Sequence, residues 1–454
     1  MPYSHSSDPG TVHIIRDVFR YLSRFQNRLF VLKIEDTLIE DAVFPMIIQD
    51  IVQLHNVGIN IIIVPGTKKT IEKHLEHFEI QTSFENGYRI TPEEAMPMVR
   101  LAAMEVADQI ITHLAACGAT GMMGNWVRAK SKGVINGVDY QSTGQVTRAR
   151  SEILKDLLQE EYIPVIPGLG WSDTGTPYNI SSSELASQLC KDLEVEKVFF
   201  IGSDLEIPVQ ELKLPRGVPT NQLGLVSDMD LEQTQELLEN NAAHLSESIQ
   251  DYLAEAINCC QNSAHRVHII NGSFEGSMLK EVFSTKGDGT MIFRNQYYNI
   301  RKAMAEDVPW LLQLMQAKVE KGLLVARTEE MILAKLEDYL VYELDGSVKA
   351  CGALHVHAEN IGEIAAIAVD ETQQSHGMGK KIVKYLLRRA HKTQLDHVYL
   401  LTTQAEDWFQ TLGFVRGTLQ DLPEIVQKKY NKERNSKILI HYLHDLGTRG
   451  KNFS

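Results

Sequence analysis

One segment in the last third of the chain constrains its fold more than any other. Residues 362–369 form an apolar run suited to a buried β-strand, a polar turn with Gly377 and Gly379 follows, and apolar residues then recur at helical spacing from Ile382. A glycine-containing turn that leads into a helix leaves backbone N–H groups free and adds the positive end of the helix dipole. The segment therefore predicts a strand, a turn and a helix that together cradle a pyrophosphate. An ordinary strand–turn–helix junction would explain the same two glycines.

The composition restricts the kinds of partner that this chain can have. At 454 residues it is too long for one hydrophobic core, so two or three domains are expected. Its 45 Lys and Arg against 59 Asp and Glu give a net charge of −14, which argues against nucleic acid as a partner. The five cysteines contain no Cys-x-x-Cys pair, and no apolar run approaches the roughly 20 residues of a membrane span. We therefore expect a cytoplasmic protein with no metal and no membrane partner.

Strand and helix patterns alternate from about residue 30 and predict an α/β fold with a largely parallel sheet. Strands are predicted at 30–34, 59–64, 162–166, 197–201 and 265–270, helices at 12–25, 44–55, 92–116, 152–160, 181–192 and 277–283, and a long helical region at 230–260. The composition changes near residue 296, after which a strand is predicted from Asn299 and a helix at 306–315. We therefore predict a first domain at 1–295 and a second at 299–446.

Two blocks and one loop motif in the C-terminal part carry a resemblance to known families. The pattern Gln-x-x-Gly-x-Gly from Gln374 to Gly379 resembles the acetyl-CoA loop of the GNAT acetyltransferase superfamily. The run at 401–414, together with residues between Leu422 and Lys437, resembles more narrowly the family of bacterial N-acetylglutamate synthases. The first part of the chain resembles the amino-acid-kinase fold, which precedes the GNAT domain in that family. The resemblance implies an N-terminal amino-acid-kinase-like three-layer α/β sandwich with a mainly parallel sheet, followed by a C-terminal GNAT α+β domain.

The resemblance also implies a reaction, the transfer of acetyl from acetyl-CoA to the α-amino group of L-glutamate in arginine biosynthesis. The α-ammonium must lose a proton before it can attack, so a general base is needed. The resemblance makes Glu363 that base, although the residue alone could be an exposed glutamate at a strand end. Thr402 holds the position of a hydroxyl that protonates or hydrogen-bonds the departing thiolate, although threonine also suits a strand. The implied contacts with acetyl-CoA are Ile367, Ala368, Val369, Gln374, Ser375, His376, Gly377, Met378, Gly379 and Lys380.

Glutamate carries two carboxylates, and fork-shaped cationic side chains are suited to bind them. The resemblance places the substrate contacts at Arg327, Arg434 and Ser436. Either arginine taken alone could be an ordinary surface residue.

The first domain lacks the glycine-rich turns with which amino-acid kinases bind phosphate. The turn after Lys33 contains no glycine and the next contains only Gly66, so we expect no kinase activity. This domain resembles instead the arginine-sensing region of arginine-regulated synthases and kinases. The resemblance implies L-arginine as an effector, bound by Tyr21, Phe25, His268, Glu281 and Gly287. It also implies a homo-oligomer, a hexamer by analogy.

Other functions fit parts of the same resemblance. A GNAT enzyme could acetylate another amino acid or a small amine, but a monocarboxylate would need fewer cationic contacts than Arg327, Arg434 and Ser436 offer. A non-catalytic arginine-binding regulator would not need Glu363, which is present. A bifunctional kinase and synthase is disfavoured by the missing glycines.

Overall fold

The computed structural model describes residues 22, 25–210, 212–221, 223–283, 287, 289–294, 298–344, 347–357, 360–370, 377–432 and 434–443. The chain divides into two compact units between residues 296 and 297. The predicted helix at 12–25 lies outside the described residues, except for Leu22 and Phe25. No helix in the described part is both long enough and apolar enough to cross a membrane.

A mainly parallel six-stranded sheet forms the centre of the first unit. The strands of this unit are β1 (Leu29–Ile34), β2 (Asn60–Pro65), β3 (Ser83–Glu85), β4 (Tyr88–Ile90), β5 (Gly121–Met122), β6 (Val127–Ser131), β7 (Val134–Ile135), β8 (Val138–Asp139), β9 (Gly144–Ala149), β10 (Ile163–Pro164), β11 (Leu169–Trp171), β12 (Pro177–Asn179), β13 (Val195–Gly202), β14 (Asp228–Asp230), β15 (Arg266–Asn271) and β16 (Thr290–Phe293). The central sheet has the order β14-β16-β15-β13-β1-β2, with β15 and β16 antiparallel and the other neighbours parallel. A second sheet has the order β12-β11-β6-β9.

Helices cover both faces of the central sheet and complete three layers. They are α1 (Phe44–Asn56), α2 (Lys68–His77), α3 (Met96–Ala116), α4 (Ser151–Gln159), α5 (Ser182–Asp192), α6 (Leu231–Asn241), α7 (Glu247–Gln261) and α8 (Ser277–Phe283). Phe30, Leu32 and Ile34 of β1 share a core with α1 and α3, whereas Val31 shares a core with α5 and α7. A strand buried on both faces in this way is typical of parallel sheets between helical layers. The prediction of a three-layer α/β sandwich is confirmed.

The long helical region predicted at 230–260 forms two helices, α6 and α7, and the break between them was not predicted. Asp230 is the N-cap residue of α6, and Ser246 is the N-cap residue of α7. The hydroxyl of Ser246 accepts the N–H of Ile249 at 3.3 Å. A serine at this position satisfies a free helix N–H and so starts a new helix. The second sheet and the helix α2 were not predicted. In α2 only Ile71 and Leu75 are buried, so its apolar pattern is weak.

A seven-stranded sheet forms the second unit. Its strands are β17 (Tyr298–Lys302), β18 (Tyr339–Leu344), β19 (Ser347–Val356), β20 (Ile361–Val369), β21 (His397–Thr402), β22 (Val415–Arg416) and β23 (Lys437–Tyr442). Its helices are α9 (Val308–Glu320), α10 (Glu329–Leu333), α11 (Met378–Lys392), α12 (Glu406–Gln410) and α13 (Glu424–Lys429). The order is β17-β18-β19-β20-β21-β23-β22, and every pair is antiparallel except β20 with β21. The crossover helix α11 makes that one parallel pair possible.

The second unit packs helices on both faces of its sheet. Leu311 of α9 and Ile332 of α10 belong to one core, and Ile382 and Leu386 of α11 belong to the other. The predicted α+β architecture is confirmed. The strand and helix predicted around Gly377 are β20 and α11.

Candidate active site

The strand β20 contains a β-bulge halfway along its length. Its neighbour β19 pairs Cys351 with Ala368 but Ala353 with Ala365, so two residues of β20 face one residue of β19. Ala366, at the bulge, has a φ of 55°, a left-handed conformation that is uncommon for alanine. The alternation of side chains between the two faces of the sheet therefore shifts by one residue at this point.

β20 and β21 are paired only over their first three residues. The ladder joins Ile361 to His397 and ends with Glu363 opposite Tyr399. Beyond that point β21 continues its pairing with β23, and β20 continues its pairing with β19. The ladder therefore ends beside Glu363, and the remainder of β20 presents its backbone to a gap between the strands. Ile367, Ala368 and Val369, the predicted acetyl-CoA contacts on this strand, all lie beyond this point.

Glu363 lies in a row of polar side chains that crosses three strands. His355 of β19 and Tyr399 of β21 are its direct neighbours across the two ladders, and such neighbours share a face of the sheet. The Tyr399 hydroxyl donates to Glu363 Oε2 at 3.3 Å, and His357 Nε2 lies 3.6 Å from the same oxygen. Burial works to raise the pKa of Glu363, but the hydrogen bond and charge of His357, the charge of His355 and the hydrogen bond of Tyr399 outweigh burial and lower it. Glu363 is therefore ionised near neutral pH, which is the form that a general base requires.

His355, His357 and Tyr399 were not predicted as site residues. His355 Nδ1 lies 2.6 Å from Asp338 Oδ2, and Tyr399 is fully buried beside the ring of His357. Burial, followed by the charge and hydrogen bond of Glu363, raises the pKa of Tyr399, so its hydroxyl keeps its proton. The available sequence signal is the two-residue spacing of the histidines, which is the spacing of neighbours on one face of a strand, although β19 itself ends at Val356.

Gly377 is the N-cap residue of α11 and has a φ of 63°. Glycine adopts this left-handed conformation without strain and has no side chain with which to cap the helix. The first turn of α11 therefore presents backbone N–H groups and a positive dipole end to an anion. A Cβ at Gly379 would stand 3.4 Å from a methyl of Val369 and 3.5 Å from the ring of Trp408, so a methyl group fits there and a larger branched side chain does not.

The remaining predicted residues of acetyl transfer lie around this helix and the end of β21. Met378 is buried, Lys380 is exposed, and Gln374, Ser375 and His376 lie outside the described residues. Thr402 is buried at the end of β21, where its hydroxyl oxygen accepts the N–H of Ala405 at 3.1 Å. That bond uses the oxygen as an acceptor and leaves the hydroxyl proton free to be donated.

The predicted substrate residues are connected through the loop that follows α9. Arg434 donates to the backbone carbonyls of Gly322 and Leu323, at 3.2 and 2.9 Å, and so fixes the segment that leads to Arg327. Arg327 donates to the carbonyl of Val325 at 3.1 Å.

Arg327 and Ser436 each interact with a tyrosine of the second unit, Tyr339 and Tyr430 respectively. Burial raises the pKa of Tyr339, and the charge and hydrogen bond of Arg327 only partly oppose that rise. The ring of Tyr339 packs edge-on against His355, with 5.8 Å between centroids, which links Arg327 to the row that contains Glu363. Ser436 is buried, and its carbonyl accepts the hydroxyl of Tyr430.

In the first unit, the described residues predicted to bind arginine gather at one place. His268 Nδ1 lies 2.7 Å from Glu281 Oε1, and the N–H of Gly289 donates to Glu281 Oε2 at 3.1 Å. Burial works to raise the pKa of Glu281, but these bonds outweigh it and lower the pKa, while burial lowers the pKa of His268. Gly287 lies so close to Glu281 that a side chain would not fit. Tyr21 lies outside the described residues.

Lys197 joins this cluster and was not predicted as part of it. Its ammonium lies 4.7 Å from the centroid of the Phe25 ring, and its charge acts on both His268 and Glu281. Lys197 is buried in the central strand β13, where the sequence reads as an apolar run with one lysine.

Two family models match the chain, the Amino acid kinase family at residues 28–271 and the Acetyltransferase (GNAT) family at residues 306–414. The amino-acid acetyltransferase of Ralstonia nicotianae is 30% identical over 439 residues, which cover 94% of each chain. That of Pseudomonas fluorescens is 30% identical over 444 residues, which cover 95% of this chain and 99% of the relative. This chain belongs to the amino-acid acetyltransferase family.

As a member of the amino-acid acetyltransferase family the chain is an acyltransferase, and the predicted family and enzyme class are confirmed. Among solved structures it is similar to the N-acetylglutamate synthase of Neisseria gonorrhoeae complexed with coenzyme A and L-arginine, with 25% identity and a TM-score of 0.77. The same synthase complexed with coenzyme A and N-acetyl-glutamate matches with 25% identity and a TM-score of 0.59. Both matches cover 95% of this chain and 99% of the synthase.

The kinase-like unit of this acetyltransferase has a crevice at the carboxyl ends of β1 and β2. The ammonium of Lys33 lies 2.5 Å from Glu35 Oε1 and 2.5 Å from the hydroxyl of Tyr252. A Cβ on Gly66 would stand 2.6 Å from the Glu35 carboxylate, so that carboxylate fills the space beside the turn. A negative group at this place repels phosphate, and the lysine charge that could attract phosphate is already paired.

Proposed function

We propose that this chain is an N-acetylglutamate synthase, which transfers acetyl from acetyl-CoA to the α-amino group of L-glutamate. The observation that carries the proposal is the position of Glu363 in the last pair of the β20–β21 ladder. Its ionised carboxylate accepts a hydrogen bond from the Tyr399 hydroxyl at this point. The bulged part of β20 and the uncapped start of α11 follow directly along the chain. Along the chain, the proposed base Glu363 is thus followed by backbone that can meet the thioester, and then by a helix start that can bind an anion.

In this reaction Glu363 removes a proton from the ammonium of the bound amino acid, so that the nitrogen lone pair can attack. Backbone N–H groups of β20 that face the gap stabilise the negative charge that develops on the acetyl oxygen, while Ile367, Ala368 and Val369 contact the thioester and pantetheine. Thr402 donates its free hydroxyl proton toward the leaving sulfur. The carboxylate of Glu363 suits its role because it is ionised before substrate binds.

Acetyl-CoA supplies the acetyl group as a thioester, and the start of α11 is suited to bind its pyrophosphate. Gly377 and Gly379 bring backbone N–H groups close to the ligand without a side chain in the way. Gln374, Ser375, His376, Met378 and Lys380 complete the proposed binding loop. The solved structures similar to this chain contain coenzyme A, which supports the assignment.

Arg327, Arg434 and Ser436 are proposed to bind the two carboxylates of glutamate. The bonds of Arg434 to Gly322 and Leu323 hold the loop before Arg327 in place, so that both guanidinium groups come from one connected region. Arg434 Nε is buried and has no hydrogen-bond partner among the described residues, which leaves a donor for a carboxylate. The synthase of Neisseria gonorrhoeae was solved with N-acetyl-glutamate, the product of such a reaction.

The first unit, residues 1–295 by the predicted boundary, is proposed to bind L-arginine as an effector and to lack kinase activity. His268, Glu281, Gly287 and Phe25 lie in one cluster, and among the described residues the Glu281 carboxylate accepts two bonds where a carboxylate can accept about four. The remaining acceptor positions suit a guanidinium. The Neisseria gonorrhoeae synthase was solved with L-arginine, and a homo-oligomer remains an expectation from the family resemblance.

The deciding experiment measures thiol release from acetyl-CoA by the full chain against a panel of amino acids and small amines. We expect L-glutamate to give the highest kcat/KM, with aspartate and glutamine well below it because each alters one carboxylate contact. The mass of the product identifies the acetylated group. A higher kcat/KM for a monocarboxylate amino acid or an amine would overturn the assignment to glutamate and support the alternative acceptor. Arginine is added in a second series to test its effect on the rate.

A further inference from the structure

Glu363, Tyr399 and His357 form a connected set of polar atoms that reaches from the proposed reaction site to the residue that follows the end of β19. The Tyr399 hydroxyl lies 3.3 Å from Glu363 Oε2 and 3.2 Å from His357 Nε2. We propose that Tyr399 and His357 form a relay that carries the proton taken up by Glu363 to solvent. The proposal rests on the proposed function, because it concerns the proton that acetyl transfer releases.

The backbone holds these three groups in register. Glu363 and Tyr399 are opposite each other in the last pair of the β20–β21 ladder. His357 follows the end of β19, where its N–H donates to the carbonyl of Ile361 at 2.9 Å and closes the connection to β20. Each member is therefore fixed by a strand ladder or by a backbone bond, and short proton-transfer distances do not depend on a mobile loop.

The two ends of the proposed relay are partly exposed, and the group between them is buried. Tyr399 is fully buried, whereas the side chain of His357 is 19% exposed and that of Glu363 is 26% exposed. Glu363 needs its exposure to meet substrate, so bound substrate would cover the direct path from its carboxylate to water. His357 keeps an exposed fraction of its own, so a proton that passes from Glu363 through Tyr399 to the imidazole has a way to water besides the one that substrate covers.

The proton balance of the relay is simple. Glu363 Oε2 forms an O–H bond when the substrate ammonium loses its proton. That proton passes to Tyr399 Oη as the Tyr399 O–H bond breaks and its proton forms an N–H bond at His357 Nε2. Glu363 is again a carboxylate, Tyr399 is again a neutral phenol, and His357 is an imidazolium that releases a proton to water. No oxidant, reductant or further reactant is needed.

The groups that surround His357 are consistent with this path. Among the described residues, Glu363 faces it from β20 and Tyr399 faces it from β21. Two residues before His357, on β19, His355 is engaged by Asp338, with 2.6 Å between Nδ1 and Oδ2. His355 is therefore held by its own carboxylate, and His357 is the imidazole that contacts the tyrosine.

The test is the pH profile of kcat at saturating L-glutamate and acetyl-CoA for the wild-type chain, His357→Gln and Tyr399→Phe. A group that must accept a proton makes kcat fall on the acidic side of the profile, where the group is already protonated. We expect this acidic limb in the wild type and its loss, or its displacement to lower pH, in both variants, together with about a tenfold lower kcat at pH 7.5. The KM for L-glutamate should change little, because neither group is placed at a carboxylate of the substrate.

His397→Gln is the matched control, since His397 lies two residues from Tyr399 on β21 and its ring meets the backbone carbonyl of Asp421 and the ring of Tyr442. It should keep the wild-type limb. An unchanged limb in either relay variant would overturn the proposal, whether or not kcat falls, because a purely structural role lowers kcat without removing an ionisation. If the wild-type chain releases no thiol with L-glutamate, the proposed function fails instead, and the profiles are measured with the amino acid that it does acetylate.

Discussion

Replacing Glu363 by glutamine tests the proposed chemistry most directly. The amide keeps the shape of the side chain and an oxygen that can accept the Tyr399 hydroxyl, now at 3.3 Å, so the fold of β20 should be preserved. The amide cannot accept a proton from the substrate ammonium. Loss of a general base typically costs 10²- to 10⁴-fold, and we expect about 10²-fold or more in kcat at pH 7. A factor of 10² corresponds to about 2.7 kcal/mol of transition-state stabilisation.

The assay is thiol release from acetyl-CoA at saturating L-glutamate, measured at pH 7 and again at high pH. Free glutamate loses its ammonium proton at high pH without help, so the variant should recover part of its activity there. Glu306→Gln serves as the control, because Glu306 is an exposed glutamate of the same unit outside the proposed site. Turnover of Glu363→Gln equal to the wild type at pH 7 would show that the base is wrongly assigned.

Three further predictions concern the cofactor, the effector and stability. Gly379→Val should raise the KM for acetyl-CoA much more than the KM for glutamate, because its methyls crowd Trp408 and the pyrophosphate cradle. Gly379→Ala should have a small effect, and equal changes in both KM values would indicate misfolding. Glu281→Ala should abolish arginine binding in calorimetry and the response of the rate to arginine, with basal acetylation retained; unchanged arginine binding would refute the assignment. Burial and, to a lesser extent, the charge of Glu275 raise the pKa of Asp50 to about 6. The folded protein therefore favours the protonated carboxyl of Asp50, and its free energy of unfolding falls as pH rises from about 4 through 6. Asp50→Asn should remove this loss and be more stable than the wild type by about 1 kcal/mol at pH 7, after allowance for partial exposure, with no difference below about pH 4. Denaturant unfolding at the two pH values measures the difference.

The sequence predicts the layers of this protein well because strongly periodic segments determine them. The run that forms β1 is apolar at nearly every position and is buried on both faces, which gives a parallel central strand without further information. Helices with a clear apolar stripe, such as α1, were predicted to within one residue. The break within the helical region at 230–260 was not predicted because Ser246 can be an ordinary helix residue or a cap, and only the fold decides between these roles.

The proposed site was predicted only in part, because its polar partners come together through strand register. Glu363 is eight residues from His355 and thirty-six from Tyr399 in the chain, yet all three occupy one row across the sheet. A shift of one residue in either ladder would place His355 or Tyr399 on the opposite face. Nothing in a single sequence fixes those registers, so the motif around Glu363 could be found and its neighbours could not.

The bulge in β20 shows how a functional irregularity can be hidden in an ordinary apolar pattern. Ala365 and Ala366 are small enough to fit either face of the sheet, so the shift in alternation leaves no polar residue on a buried face that a sequence pattern would reveal. The left-handed backbone of Ala366 costs about 1 to 2 kcal/mol relative to an extended conformation. Such strain persists only where the surrounding structure enforces it, and it concentrates at functional sites. Here it lies between the proposed base and the proposed thioester contacts, on the stretch of β20 that is paired with β19 and no longer with β21.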